Sequence, residues 1–173
     1  DKILEGDLWD HFPLTVWQTG SGTQTNMNVN EVISHLANLK AGENIIHPND
    51  HVNMSQSSND TFPTGMHLSS FIEIKEKLIP QVKEMIKTLK DLEKKNEAII
   101  KIGRTHFQDA TPLRFAQEIS GRRTMLERDL AMIIEAGEEL RKLAIGGTAV
   151  GTGINSPKDF GKEVAKELSN LTG

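Results

Sequence analysis

Three short stretches of this sequence are rich in groups that donate hydrogen bonds: residues 19–28 (TGSGTQTNMN), 55–60 (SQSSND) and 104–112 (RTHFQDATP). Each stretch places hydroxyls, amides and backbone N–H groups beside a predicted helix start. Unpaired amides and the helix dipole favour an anion at that place. Three such clusters in one chain predict that it binds carboxylates.

His106 lies within the third stretch, directly after Thr105. Imidazole titrates near neutral pH without special tuning, so this side chain suits proton transfer. The alternative is a histidine that only braces its loop, and spacing alone favours neither interpretation.

Two other motifs resemble known binding sites but lack residues that those sites need. Residues 20–23 lack the Gly-Lys-Ser/Thr of a phosphate loop and the third glycine of a dinucleotide fingerprint. His47 and His51 have the spacing of helical zinc ligands, but Pro48 disrupts the geometry and the expected glutamate is absent. We therefore expect no metal site.

Composition narrows the class of protein. The chain has 173 residues, a net charge of -4 and no cysteine. Its acidic balance disfavours binding to nucleic acid, and no apolar run approaches the roughly 20 residues of a membrane span. The absence of cysteine excludes thiolate chemistry and fits a reducing compartment. We expect a soluble polypeptide, and its two ends suggest a piece of a longer chain.

Helical periodicity predicts an all-α fold without strands. The first helix is expected to begin at Asn28 and to end at Gly42. A second helix follows residue 58, with Pro63 in its first turn and a kink at Pro80. Its buried stripe is predicted to contain Phe71, Ile74, Leu78, Val82, Met85, Leu89 and Leu92.

A third helix is predicted from Thr111 as N-cap and Pro112 as first helical residue. It would run for about 30 residues, which suits a bundle of antiparallel helices. A last helix is expected to start within residues 156–159, after a glycine-rich segment.

Five segments together closely resemble class II fumarase: residues 16–31, 47–50, 55–64, 103–106 and 146–153. Their order and spacing run through essentially the whole chain. The sister aspartate ammonia-lyases are similar but tend to have Gly-Gly-Ala-Gly-Thr and Ser-Thr-Asn-Asp, where this sequence has TGSGT and SSND. The resemblance therefore favours hydration of fumarate over deamination of aspartate.

The resemblance implies roles for the residues that match the family's motifs. His106 would be the catalytic histidine, working with a bound water. The implied substrate contacts are Ser21, Gly22, Thr23, Ser57, Ser58, Asn59 and Thr105. The family's second, non-catalytic dicarboxylate site matches His47, Pro48, Asn49 and Asp50. No metal or organic cofactor is implied.

The resemblance also implies an architecture of long antiparallel helices that assemble into a homotetramer with active sites shared between subunits. Residues 1–57 would be the C-terminal part of an N-terminal domain, and residues 58–173 the first part of an incomplete central helical bundle. The family's flexible Gly-Ser-Ser loop, with the serine base and a substrate-binding Lys and Asn, would lie beyond Gly173 together with a Glu partner of the histidine. We therefore expect the chain alone to be inactive.

The intact parent is expected to interconvert fumarate and (S)-malate, a step of the tricarboxylic acid cycle. Its expected location is the cytoplasm, or the mitochondrial matrix in a eukaryote. Two alternatives stay open at this stage: an aspartate ammonia-lyase, and a helical assembly module that has lost catalysis.

Overall fold

The computed structural model describes residues 2–15, 18 and 22–173. Helices dominate, as predicted, and none of the described helices is long and apolar enough to cross a membrane. The elements in chain order are α1 (Thr23–Ala41), α2 (Ser58–Glu73), α3 (Ile79–Lys95), β1 (Ile100–Thr105), β2 (Gln108–Arg114), α4 (Phe115–Glu139) and α5 (Phe160–Thr172). Shorter helical turns lie at Trp9–His11, Pro48–Val52 and Ile74–Leu78.

The chain's contacts define two compact units. Unit 1 comprises Asp1–Leu68 and Lys142–Gly173, and unit 2 comprises Ser69–Arg141. The family's domain boundary after residue 57 is a different division, and it stays a prediction.

In unit 1, α1 begins five residues before the predicted Asn28. Gly22 precedes it in a left-handed conformation, with φ of 78°. The Asn28 side chain does not cap the helix, because its amide donates to the carbonyl of His11 at 2.9 Å. The end of α1 was predicted correctly: Gly42 is left-handed and its N–H donates to the Asn38 carbonyl at 3.0 Å.

Pro63 and Pro80 lie at other positions within their helices than predicted. Pro63 is the sixth residue of α2, since that helix already begins at Ser58. Pro80 is the second residue of α3, where its missing N–H costs nothing. The π-type turn Ile74–Leu78 directly precedes α3, and it supplies a local irregularity where a kink was predicted.

In unit 2, α3 and α4 pack antiparallel. Lys90 pairs with Glu127 at 3.1 Å and Glu93 pairs with Arg123 at 2.8 Å, so the two helices run in opposite directions. Ile86 is buried between them. The predicted stripe was partly wrong, because Leu78, Met85 and Leu92 are 44%, 56% and 39% exposed. Spacings of three and four cover a wider arc than one neighbouring helix can bury.

The prediction that a helix starts at Thr111 and Pro112 was wrong. Both residues belong to β2, which pairs antiparallel with β1, and Pro112 lies opposite Ile102. A strand in a two-stranded sheet always has a free edge, where a proline is tolerated. Helix α4 begins only at Phe115 and has 25 residues instead of about 30.

Gly103 allows strands β1 and β2 to approach each other closely. A Cβ at this position would lie 2.7 Å from the carbonyl oxygen of Thr111 on the opposite strand. The pairing register also shifts between Ile102 and Arg104. Glycine is therefore required where the hairpin narrows beside Thr105 and His106.

At the other end of unit 1, α5 begins at Phe160, with Asp159 as its N-cap residue. This start lies just after the predicted range 156–159. Gly146 of the preceding glycine-rich segment approaches the helix closely, since a Cβ on it would lie 2.7 Å from the Cα of Gly161.

Candidate active site

The N-terminal ends of α1 and α2 meet in unit 1. Asn26, in the first turn of α1, donates from Nδ2 to Oγ of Ser58, the first residue of α2, at 2.8 Å. The first N–H groups of a helix lack partners within that helix, and the helix dipole makes the same end positive. Two converging ends of this kind favour a negatively charged ligand.

Three asparagines hold this junction together. Nδ2 of Asn26 also donates to Oδ1 of Asn53 at 3.1 Å, and Nδ2 of Asn30 donates to the same oxygen at 3.1 Å. Asn26 and Asn30 are only 7% and 6% exposed. Buried amides with satisfied hydrogen bonds fix one arrangement of their neighbours. The junction is therefore held by a buried network.

The predicted donors Ser57 and Ser58 lie at this junction. Oγ of Ser57 accepts the N–H of Asn59 at 3.2 Å, and Oγ of Ser58 accepts the Asn26 amide. A hydroxyl has one proton to donate in addition to its acceptor pairs. Because protein donors occupy an acceptor site on each oxygen, each hydroxyl can offer its proton to an anion. Asn59 is exposed on the same turn.

Gly22 and Thr23, which were predicted to bind substrate, lie at the start of α1. Gly22 is buried, and a Cβ on it would lie 2.1 Å from ring carbons of Phe62 in α2. This close approach brings the start of α1 against the first turns of α2. Thr23 is exposed as the first residue of α1. Ser21, also predicted to bind substrate, lies outside the described residues.

Thr105 and His106 lie in unit 2, at the turn between β1 and β2. His106 and Phe107 have φ of 49° and 62°. Positive φ at both central residues is the requirement of a type I′ hairpin turn, and it is uncommon for residues other than Gly, above all for a bulky residue such as Phe107. Arg104 stabilises the turn by donating to Asp109 Oδ1 at 2.6 Å and to the Phe107 carbonyl at 2.9 Å. The predicted catalytic histidine is thus exposed on a strained turn.

The predicted second dicarboxylate site forms a compact turn in unit 1. Nδ1 of His47 accepts the N–H of Asp50 at 3.2 Å, and the backbone N–H of His47 donates to Nδ1 of His51 at 2.8 Å. Asn49 donates to Oδ1 of Asp50 at 3.3 Å. His47, Asn49 and Asp50 are exposed and Pro48 is half-buried. A role in dicarboxylate binding stays a prediction for these four residues.

Sequence reasoning missed Asn53 and the structural part played by Asn26. Asn26 was assigned to a loop, although it and Asn30 are four residues apart and so share a helix face. That spacing is the signal that could have found the buried pair. Among the described residues, no cluster of three or more His, Cys, Asp or Glu side chains is arranged to hold a metal ion.

The entire chain, residues 1–173, matches the family model described as lyase, so this chain belongs to the lyase family. Its most similar relatives include two bacterial class II fumarate hydratases. It is 57% identical over 177 residues to that of Staphylococcus aureus (strain MRSA252) and 56% identical over 178 residues to that of Helicobacter pylori (strain J99). Both alignments cover 100% of this chain and 38% of the relative.

Solved structures of similar fold include a class II fumarase from Schistosoma mansoni. Its TM-score is 0.92 at 46% identity, and the match covers 99% of this chain and 37% of that one. A fumarate lyase:delta crystallin from Brucella melitensis bound to cobalt matches with a TM-score of 0.89 at 36% identity, over 100% of this chain and 38% of that one.

The resemblance to class II fumarase is thereby confirmed. The chain spans about 38% of the length of the curated relatives that it matches. It therefore corresponds to part of such a protein, and the activity of the longer protein is inferred below.

Proposed function

We propose that the longer protein catalyses the reversible hydration of fumarate to (S)-malate. The observation that carries the proposal is the junction of α1 and α2, where Asn26 joins Ser58 and where two serine hydroxyls can donate to an anion. Fumarate and malate are dianions, so converging helix ends and neutral donors match their charge. The class II fumarate hydratases that resemble this chain support the same reaction.

The reaction explains why the donors are uncharged. Removal of a proton beside a carboxylate of malate gives a carbanion whose charge spreads into that carboxylate. Donors aimed at these oxygens stabilise the transition state, and a preorganised set supplies about 3 kcal/mol or more. In the proposed site, Ser57, Ser58 and Asn59 serve this purpose. Their neutrality leaves the protonation of nearby acid and base groups undisturbed.

His106 is proposed to act on the hydroxyl side of the substrate. Loss of the malate hydroxyl as water requires a proton, and addition of water to fumarate requires that a proton be removed. An imidazole acting through a bound water does both near neutral pH. Gly22, Thr23 and Thr105, together with Ser21, are proposed to orient the substrate, and this chemistry needs no metal or organic cofactor.

We also infer a homotetramer whose active sites are shared between subunits. Support comes from the exposed apolar residues of unit 2, which include Met85, Phe107, Met125 and Met132 at 56%, 98%, 65% and 59% exposure. Exposed apolar groups of this size are typical of protein interfaces. The four residues 47–50 are proposed as a second dicarboxylate site. Cysteine-free composition supports the cytoplasm, or the matrix of a mitochondrion, as location.

The test is a turnover assay of the full-length protein that contains this chain. We expect fumarate to disappear and malate to form, whereas ammonia-dependent turnover of fumarate would reassign the protein to the aspartate ammonia-lyases. His106→Asn should lower kcat about 100-fold or more, since general acid–base catalysis contributes about 10²- to 10⁴-fold.

His35→Asn is the matched control for this substitution, because His35 is an exposed histidine in the second half of α1. It should leave kcat unchanged. Full activity of His106→Asn with an intact assembly would remove His106 from the mechanism. Absence of turnover with either substrate would favour the helical assembly module instead.

A further inference from the structure

Asp60 is a buried carboxylate beside the predicted substrate donors. It is 3% exposed and lies in the first turn of α2. Its Oδ1 accepts the backbone N–H of Ser57 at 3.0 Å and the hydroxyl of Thr61 at 3.2 Å. Because Ser57 Oγ accepts the N–H of Asn59 in return, the two side chains form a reciprocal cap at the start of α2.

The second oxygen of Asp60 reaches a distant part of unit 1. Oδ2 accepts the backbone N–H of Thr148 at 2.7 Å, across 88 residues of sequence. A helix cap needs only one carboxylate oxygen, and an exposed aspartate supplies it. Full burial of a charge is costly unless donors satisfy it, and the backbone N–H groups of Ser57 and Thr148 do so here. The carboxylate therefore connects the cap of α2 to a second segment of unit 1.

Thr148 is itself strained. It lies in the glycine-rich segment 146–153, has φ of 56° and is 8% exposed. Positive φ is a genuine outlier for a β-branched residue. Its Oγ1 is buried, and within the described part of the chain it has no hydrogen-bond partner. A positive φ and a buried, unpaired hydroxyl both cost free energy, so the surrounding structure must hold Thr148 in this conformation. Such strained positions are typical of functional regions.

We propose that Asp60 is a positioning residue for Ser57. Its carboxylate fixes the Ser57 backbone through Oδ1 and anchors that turn to the strained glycine-rich segment through Oδ2. The backbone N–H of Ser57 and one acceptor site of its Oγ are both engaged, so Ser57 is held in one position at the start of α2. Asp60 thereby positions the Ser57 hydroxyl without touching the substrate. This inference rests on the proposed hydration of fumarate.

A double-mutant cycle in the full-length protein tests the role. Asp60→Asn keeps the size of the side chain but replaces one acceptor oxygen by an NH₂ group. We expect kcat to fall about tenfold or more, whereas KM should stay within about threefold of the wild-type value. A hydroxyl donor that points in the wrong direction loses transition-state stabilisation more than ground-state binding. Ser57→Ala should lower kcat about 100-fold or more by itself.

The decisive result is the combination of the two substitutions. If Asp60 acts through Ser57, adding Asp60→Asn to Ser57→Ala should lower kcat by no more than about threefold further. Multiplicative losses would show independent effects and overturn the proposal. Asp159→Asn at the N-cap of α5 is the control for loss of a carboxylate at a helix N-terminus, and it should leave kcat unchanged.

Folding is monitored by circular dichroism and by the mass of the assembly. Asp60→Glu retains the charge and both acceptors, and it replaces Asp60→Asn in the cycle if the latter does not assemble. Failure of both variants to assemble would assign Asp60 to folding alone and overturn the proposal. Wild-type protein without fumarate turnover would reject the proposed function itself, whereas an active wild type with a multiplicative cycle would reject only the role of Asp60.

Discussion

At the scale of single residues, the candidate site depends on which atoms of each side chain are already engaged. Ser58 offers a proton because the Asn26 amide occupies one of its acceptor sites. Ser57 is in the same state because of the Asn59 N–H. Orienting neutral hydroxyls in this way gives donors that need no reorganisation when charge develops on a ligand.

Gly22 permits a sharp test at this scale. Gly22→Ala places a methyl group at φ of 78° and against the ring of Phe62, whereas Gly42→Ala meets a similar φ of 76° with no atom within 4 Å. The left-handed conformation costs about 1 kcal/mol in both variants. Overlap with Phe62 should add about 2 kcal/mol in Gly22→Ala alone.

Urea unfolding of the full-length protein measures the difference between the two variants. Gly22→Ala should be the less stable and should also lose kcat, since the ends of α1 and α2 are forced apart. Equal stability of the two alanine variants would contradict the close approach of Gly22 to Phe62.

The sequence predicts which of these residues can donate, but not how their partners are arranged. Ser57, Ser58 and Asn59 were predicted as donors from their residue types and their position before a helix. Asn53 was not assigned any role, and the contact of Asp60 with Thr148 was not predicted, because these partners lie 27 and 88 residues away. Contacts at such separations depend on tertiary packing, which local patterns do not encode.

At the scale of secondary-structure elements, the β1–β2 hairpin is the part of the fold that sequence patterns did not predict. Thr111-Pro112 is a typical helix start, yet both residues lie in β2, and Pro112 pairs with Ile102 of β1. The narrow approach at Gly103 and the turn at His106 and Phe107 decide the local structure instead. The long amphipathic helices were predicted correctly as elements, because their periodicity extends over many turns.

The α3–α4 pair leads to a prediction about acid stability. Hydrogen bonds and charge from Lys90, and then from Arg123, hold the pKa of Glu127 below its ordinary value of 4.5. A carboxylate with a lowered pKa in the folded state contributes stability above its ordinary pKa. That contribution is lost as pH falls through the lower folded value. The α3–α4 ion pairs should therefore weaken below about pH 4.5.

Arg123→Gln tests this, because Arg123 pairs with both Glu93 and Glu127 and its side chain is 19% exposed. At pH 7 the variant should unfold at a lower urea concentration than the wild type, and the gap should narrow below pH 4.5. Arg122→Gln is the control, because its side chain is 71% exposed and pairs with Glu118 at the surface. Arg122→Gln should change the urea midpoint of unfolding less than Arg123→Gln does. A difference in midpoint between the wild type and Arg123→Gln that stays constant with pH would contradict the prediction.

At the scale of the whole molecule, unit 2 exposes several large apolar side chains in a regular pattern. Leu78, Met85 and Leu92 recur every seven residues along the helical stretch that contains α3, and Met125 and Met132 have the same spacing on α4. A seven-residue repeat marks a seam that another helix can cover. This seam supports the proposed assembly, and it explains why Leu78, Met85 and Leu92 are exposed although their spacing predicts burial.

Met85 is the central residue of the α3 seam and therefore the one whose change should matter most for assembly. Met85→Glu places a charge at a side chain that is 56% exposed in this chain and would be covered in a tetramer. Because an unpaired charge at an apolar interface is strongly unfavourable, the full-length variant should dissociate. If active sites are shared between subunits, fumarate turnover should fall in parallel with the loss of the assembly.

Light scattering after size-exclusion chromatography and a turnover assay at the same protein concentration measure both effects. Lys87→Glu is the matched control, because it changes an exposed lysine of the same helix and should leave mass and kcat unchanged. A tetramer of Met85→Glu with full activity would exclude the α3 seam from the interface. Dissociated subunits that retain full turnover would show instead that each chain carries a complete site, and sharing between subunits would have to be abandoned.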